Sequence, residues 1–278
     1  MKKTINDILE FSIINVDKPS GMTSHDVVAK IKKITPAKKV GHCGTLDPMV
    51  TGVLPILLNK ATRLSNYFMK KEKIYVGKMY LHSDISEGKL KEEMKKFIGK
   101  IMKKPPVKSR VKRVLREREV MNFNILKMNK RVVEFEANVE AGTYIRKLIS
   151  DLGEKIGGAH MTELRRTKAG IFHIKDSYKL EDIEKIFNDG DENKLREILI
   201  PAEIIGKIIP KIEIKDESLK KLLNGKPLMK KDIDEGIKYD LFCVFNNDIF
   251  IGIYKRVNEE NILARPEFVK NWVINDKI

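Results

Sequence analysis

The chain is 278 residues long, 42% hydrophobic and 34% charged, with 55 Lys and Arg against 39 Asp and Glu. That size accommodates one large domain with a small second one, or two of moderate size. The formal charge of +16 points first to a nucleic-acid partner, with a lysine-rich solvated surface as the competing explanation. Cys43 and Cys243 lie far apart and no secretory signal precedes them. A disulfide framework is therefore disfavoured, and a reducing, cytoplasmic setting is expected. His25, His42, His82, His160 and His173 show no Cys/His pairing at metal-ligand spacing, so no metal is expected. No apolar run approaches the ~20 residues of a membrane span.

Residues 1–12 are short of apolar sequence and are expected to pack on another part of the chain. INVDKPSGMTSHDVVAKIKKI predicts a short strand, a Pro/Gly turn and a helix. Thr23 or Ser24 supplies its N-cap, and Val27, Val28, Ile31 and Ile34 its apolar face. GHCGTLDPMVTG (residues 41–52) is a glycine- and proline-rich loop around one acid, Asp47, and VLPILL follows, interrupted by Pro55. KIYVGKMYL alternates, with Tyr75, Gly77, Met79 and Leu81 on one side of a strand. GKLKEEMKKFIGKI predicts a helix ending near Gly99. RVVEFEANVEA is a second alternating strand, with Val133, Phe135, Ala137 and Val139 on one face. It leads into GTYIRKLISDLGEKIGG, a helix capped by Thr143 with Ile145, Leu148, Ile149, Leu152 and Ile156 as its buried stripe. Gly157 and Gly158 end it. Residues 176–200 are expected to be helix and linker with a loop at NDGDEN, and Pro201 to Pro210 mark a boundary. The remainder is a small β-rich module, with one short helix stopped by Gly225 and a hairpin turning at Asn247-Asp248.

Three segments are candidates for chemistry: GHCGTLDPMVTG, KIYVG and EAGTYIRKL. Singly, each has an ordinary explanation: a turn, a half-buried aromatic and a surface cation. Arg146, however, starts a helix, where a positive charge opposes the helix dipole. A nearby carboxylate would relieve it.

Together these motifs resemble the TruB/dyskerin family of RNA pseudouridine synthases over about residues 13–175. DKPSGMTSHDVV is similar to the family's lysine-proline motif and GHCGTLDPMVTGVLP to its aspartate loop. KIYVG is similar to its tyrosine strand, GTYIRKLISDLG to its arginine helix and GGAHMTELRRTKAG to the segment that closes its active site. The resemblance implies that Asp47 is the nucleophile, that Tyr75 stacks on the target base and takes the proton from C5, and that Arg146 pairs with Asp47. It further implies that Leu164 contacts the base, that His42 fills the stack left by the flipped nucleotide, and that Lys18 and Pro19 buttress the loop. Breaking the N-glycosidic bond, turning the uracil and rejoining it through carbon needs no cofactor. It does need an ionised carboxylate shielded from water and a base out of its stack, at a cost of a few kcal/mol.

KKPPVKSRVKRVLRERE resembles the RNA-guided branch of the family, which works in H/ACA particles with small accessory proteins, and the C-terminal module resembles a reduced PUA domain. The implied function is therefore the catalytic subunit of an H/ACA guide-RNA particle acting on ribosomal RNA. The alternatives are a stand-alone transfer-RNA synthase and a non-catalytic RNA-binding or assembly protein. In the basic run, Lys104, Lys108, Arg110, Lys112, Arg113 and Arg116 are expected to contact phosphates. Arg165 and Arg166 are expected to face RNA, with an ion pair to Glu163 as the competing arrangement. The expected fold is α+β. It has a mixed, largely antiparallel sheet with flanking helices over residues 1–200, residues 1–12 being an N-terminal extension, and a β-barrel-like PUA module over 201–278.

Overall fold

The structure, a computed structural model, describes residues 3–103, 116–234 and 236–270. These fall into two units divided between Ile200 and Pro201. The first unit contains α1 (Ile5–Leu9), β1 (Phe11–Lys18), α2 (Ser24–Ile34), β2 (Val40–His42), β3 (Thr51–Asn59) and α3 (Ser65–Met69). It continues with β4 (Lys73–Leu81), α4 (Glu87–Lys95), β5 (Gly99–Lys103), β6 (Arg116–Asn129) and β7 (Val132–Val139). It ends with α5 (Ile145–Gly153), β8 (Ala159–Ala169), β9 (Phe172–His173), α6 (Leu180–Asp189) and α7 (Glu192–Ile198).

Its strands form one sheet in the order β1-β3-β8-β4-β7-β6-β5, with β2 added to β3 and β9 to β8. The β3–β8 pair is parallel, Thr51 facing Arg165 and Gly52 facing Arg166. The β1–β3, β8–β4, β4–β7, β7–β6 and β6–β5 pairs are antiparallel. The expected α+β class and mixed, largely antiparallel sheet are thus present. Alternation in sequence becomes alternation in burial: Tyr75, Gly77, Met79 and Leu81 of β4 point inward, as do Val133, Phe135, Ala137 and Val139 of β7. Helix α2 buries Val27 and Ile31, and its N-cap Thr23 forms a capping box with Asp26, satisfying two helix-end donors at once.

Several local expectations are corrected. The helix predicted to reach Gly99 stops at Lys95, and Gly99, at φ +96°, opens strand β5 instead. Helix α5 begins at Ile145 with Tyr144 as N-cap, and the Thr143 hydroxyl accepts no bond from the helix. Its Oγ1 is buried without a hydrogen-bond partner among the described residues. The supposed linker after residue 176 belongs to the core. Leu180, Ile183, Leu195, Ile198 and Leu199 join the main apolar cluster, and Lys30 of α2 pairs with Glu184 of α6 at 2.6 Å. Helix α1 also packs there through Leu9, and Arg196 of α7 donates to the Lys3 carbonyl at 2.9 Å.

The second unit contains β10 (Lys211–Glu213), α8 (Leu219–Leu223), β11 (Leu228–Met229), β12 (Leu241–Asn246), β13 (Ile249–Arg256) and β14 (Ile262–Val269). They pair in the order β10-β12-β13-β14-β11, a half-barrel whose end strands do not meet. The β12–β13 hairpin turns at Asn247, at φ +52°, a conformation asparagine tolerates. No helix among the described residues is long and apolar enough to cross a membrane.

Candidate active site

The loop bearing Asp47 is tied down on several sides. Lys18, fully buried at the end of β1, donates from Nζ to the carbonyls of Pro19 (2.7 Å), Met22 (2.6 Å) and Pro48 (2.9 Å). Gly21 N–H donates to the same Pro48 carbonyl at 2.9 Å. Ser24 Oγ accepts from Leu46 N at 2.8 Å and donates to Leu46 O at 3.1 Å. Val50 N–H closes the turn onto the Asp47 carbonyl at 3.0 Å. Burial lowers the Lys18 pKa, while the carboxylates of Asp26 and Asp47 pull it back toward its ordinary value. The loop leaves at Gly52, where φ is +103° and a Cβ would lie 2.2 Å from the Arg166 carbonyl oxygen. Only glycine fits that approach.

Arg146, in the first turn of α5, donates from Nη2 to Asp47 Oδ2 in a close ion pair. The cation that the helix dipole disfavours thus meets a carboxylate. Both side chains are open to solvent, at 63% and 53% exposure, so the protein by itself does not shield this carboxylate from water.

Strands β4 and β8 form the neighbouring wall. Tyr75 is 8% exposed and faces Arg166 across the ladder, and Leu164, 9% exposed, faces Gly77. A Cβ on Gly77 would come within 2.8 Å of the Phe135 ring and 2.9 Å of Leu164 Cδ1. Any larger residue at position 77 would therefore displace Phe135 or Leu164. His42, the last residue of β2, has a buried Nδ1 without a hydrogen-bond partner among the described residues. Burial, then the charges of Arg166 and His25, lower its pKa and favour the neutral ring.

The two arginines of the closing segment do not face outward together. Arg165 pairs with Asp17 at 2.6 Å and reaches Thr51 Oγ1 at 3.3 Å. Glu163 pairs with Lys78 instead. Arg166 is 1% exposed, so it cannot contact RNA: its Nε donates to the Val53 carbonyl at 2.7 Å and its Nη2 to the Gly44 carbonyl at 3.0 Å. Lys104, Lys108, Arg110, Lys112 and Arg113 lie outside the described residues, and Arg116 opens β6.

Sequence reasoning missed Ser24 as a loop holder and Lys73 as a buried cation. Lys73 donates to the carbonyls of Met69 and Lys71. Burial, reinforced by the Arg166 charge, lowers its pKa to about 8. A signal existed: Lys73 shares the inward parity of Tyr75 and Gly77. Among the described residues, no group of three or more His, Cys, Asp and Glu side chains forms a metal site.

Residues 32–145 match the TruB family pseudouridylate synthase N-terminal domain, and residues 146–205 match the tRNA pseudouridylate synthase B C-terminal domain. A probable tRNA pseudouridine synthase B of Korarchaeum cryptofilum is 45% identical over 239 residues, covering 83% of this chain and 74% of that protein. The protein of the same name from Archaeoglobus fulgidus is 39% identical over 263 residues, covering 90% and 81%. Among solved structures, a Cbf5-Nop10-Gar1 complex is similar with a TM-score of 0.89 at 39% identity, over 96% of this chain and 87% of that one. An H/ACA RNP bound to a substrate RNA containing 2'-deoxyuridine gives 0.87 at 38% identity, with 96% and 87% covered. Matches to both family models, together with relatives similar in sequence and in fold over most of the chain, place it in the TruB family of pseudouridine synthases.

Proposed function

We propose that this pseudouridine synthase is the catalytic subunit of a guide-RNA particle, with Asp47 as nucleophile, Arg146 as its partner and Tyr75 as the base that takes the C5 proton. The ion pair between Asp47 and Arg146 is the observation that carries the site assignment. The contact holds the Asp47 carboxylate in one place, and a nucleophilic carboxylate must be charged to form a covalent intermediate. The half-exposed pair becomes sheltered when an extruded uridine lies over it, between the Tyr75 ring and Leu164. His42, kept neutral, takes the place the base vacated. Lys18 holds the loop beneath and does not touch substrate. The catalytic domain spans residues 1–200.

The guided reading is supported by similarity to structures of H/ACA assemblies along nearly the whole chain. It makes ribosomal RNA the target, H/ACA guide RNA a partner and proteins of the Nop10 and Gar1 type accessory subunits. The half-barrel over residues 201–278 then serves as a reduced PUA-like module that binds the guide. The basic run including Lys104, Lys108, Arg110, Lys112 and Arg113 contacts phosphates, and the particle works in the cytoplasm. A second reading, a stand-alone transfer-RNA enzyme, is favoured by the names of the sequence relatives. The deciding experiment maps pseudouridines in ribosomal and transfer RNA incubated with purified protein, with and without an H/ACA guide and accessory proteins. Modification that moves when the guide sequence is changed supports the guided reading. An unchanged transfer-RNA position without guide supports the second.

A further inference from the structure

Arg166 heads the fully buried side chains by volume among the described residues, and none of the roles above uses it. It lies in two ladders at once. On one side it faces Gly52, the exit of the Asp47 loop, and on the other it faces Tyr75. Its side chain then reaches back to the loop, taking the carbonyl of Gly44 before Asp47 and that of Val53 after it. We propose that Arg166 is the positioning residue of the Asp47 loop, its guanidinium bridging Gly44 and Val53 and fixing both to the strand that carries Leu164 and adjoins Tyr75.

The chemistry suits arginine alone. A guanidinium is a rigid fork whose separate N–H groups hold two acceptors at a set spacing, whereas an ammonium is a point donor on a flexible stem. A carbonyl on each side of the carboxylate is bound to the same planar group, so the two ends of the loop cannot move independently of each other or of β8. The ends are also where the loop is conformationally special: Gly44 has φ +102° and Gly52 φ +103°. The Gly44 position lies against Arg166 Nη1, 3.7 Å from where a Cβ would stand. The Arg166 charge also helps keep His42 neutral, so one buried cation bears on the loop's geometry and on the ring beside it. Small misplacements of a reacting group cost about a hundredfold in rate, which gives such a brace its kinetic weight.

This inference rests on Asp47 as the nucleophile, and the test separates the two. Arg166→Lys and Arg166→Ala are compared with wild type for single-turnover pseudouridine formation, RNA affinity and amide hydrogen exchange of the free protein. Arg166→Lys is expected to lose about tenfold in rate and Arg166→Ala about a hundredfold, with RNA affinity changed by less than about threefold. Exchange should rise over residues 43–53 and stay unchanged over β7. Added guanidinium ion should restore part of the Arg166→Ala rate. A folded Arg166→Ala enzyme with near wild-type rate overturns the proposal. So does a slowed enzyme with unaltered loop exchange, failure of guanidinium to restore any rate, or an Arg166→Lys protein that does not fold. The exchange measurement needs no chemistry from Asp47. An active Asp47→Asn enzyme would defeat the nucleophile assignment and leave the brace standing.

Discussion

Lys18 in the first unit and Lys270 in the second are both buried, yet their ammonium groups are satisfied differently. Lys270 Nζ meets the Glu203 carboxylate at 2.7 Å, and in the same unit Lys221 bonds the buried Asp232 carboxylate, which also takes bonds from Ser218 Oγ and Met229 N–H. Lys18 has no carboxylate on its hydrogen bonds; its acceptors are three main-chain carbonyls. The same holds for Arg166 and Lys73, the other buried cations around the Asp47 loop. A cation paired with a carboxylate has little field at a distance. A cation solvated by neutral dipoles keeps its charge, and in a low-dielectric interior that charge acts over several ångströms. The second unit uses buried charge to hold its half-barrel together. The first unit stores positive charge under a loop that presents a carboxylate, with a polyanion as its substrate.

The largest expected effect tests whether that loop carries the nucleophile. Asp47→Asn should lower pseudouridine formation by at least about a thousandfold, as removal of an essential nucleophile does, while the fold and RNA binding persist. Product at near wild-type rate from the purified variant would break the contrast at its root. Tyr75→Phe keeps the ring and loses the phenol, so its rate should fall by about a hundredfold or more, in the range of general-base contributions. A variant as fast as wild type would show that another group takes the proton. Lys18→Met takes the donor from the Pro19 and Met22 carbonyls, while the Pro48 carbonyl keeps Gly21 N–H. We expect about 3 kcal/mol of lost stability, read from the denaturant midpoint, together with looser exchange in the Asp47 loop.

The smallest effect falls in the second unit, where Asp232→Asn should cost about 1–2 kcal/mol without changing the single-turnover rate on bound RNA. Burial pushes the Asp232 carboxyl up, but the bonds from Lys221, Met229 and Ser218 outweigh it and hold it below the usual carboxylate range. A depressed folded pKa contributes stability above the unfolded value of about 3.9 and loses it as pH falls through the folded one. Exchange protection over residues 215–232 should therefore drop below about pH 4 in wild type, and this drop should be blunted in Asp232→Asn.

How far the sequence could be read varied with the kind of feature. The inward parity of Tyr75 to Leu81 and of Val133 to Val139 follows from the two-residue period of a strand, and both appear in the structure. The stripe of Ile145, Leu148, Ile149 and Leu152 on α5 was legible from the helical period of about 3.6 residues, but its cap was not. Thr143 has the side chain for that role, yet the backbone enters the helix one residue later. Arg166 and Arg165 read as two adjacent surface cations, because composition does not say which side of a strand is covered.

The sequence by itself determined the alternating strands, the amphipathic helices, the glycine- and proline-rich loop around Asp47 and the family motifs. These depend on local periodicity and backbone chemistry. The resemblance already paired Arg146 with Asp47, ninety-nine positions away; only the tertiary structure decided that Arg165 pairs with Asp17, and that Lys18, Lys73 and Arg166 lie buried on carbonyl oxygens. The parallel β3–β8 pairing sets Arg165 and Arg166 beside Thr51 and Gly52, whereas the acceptors of Lys73 come from its own stretch of chain. Strand order is fixed by which faces must be covered, a condition on the whole core that no single stretch of chain contains.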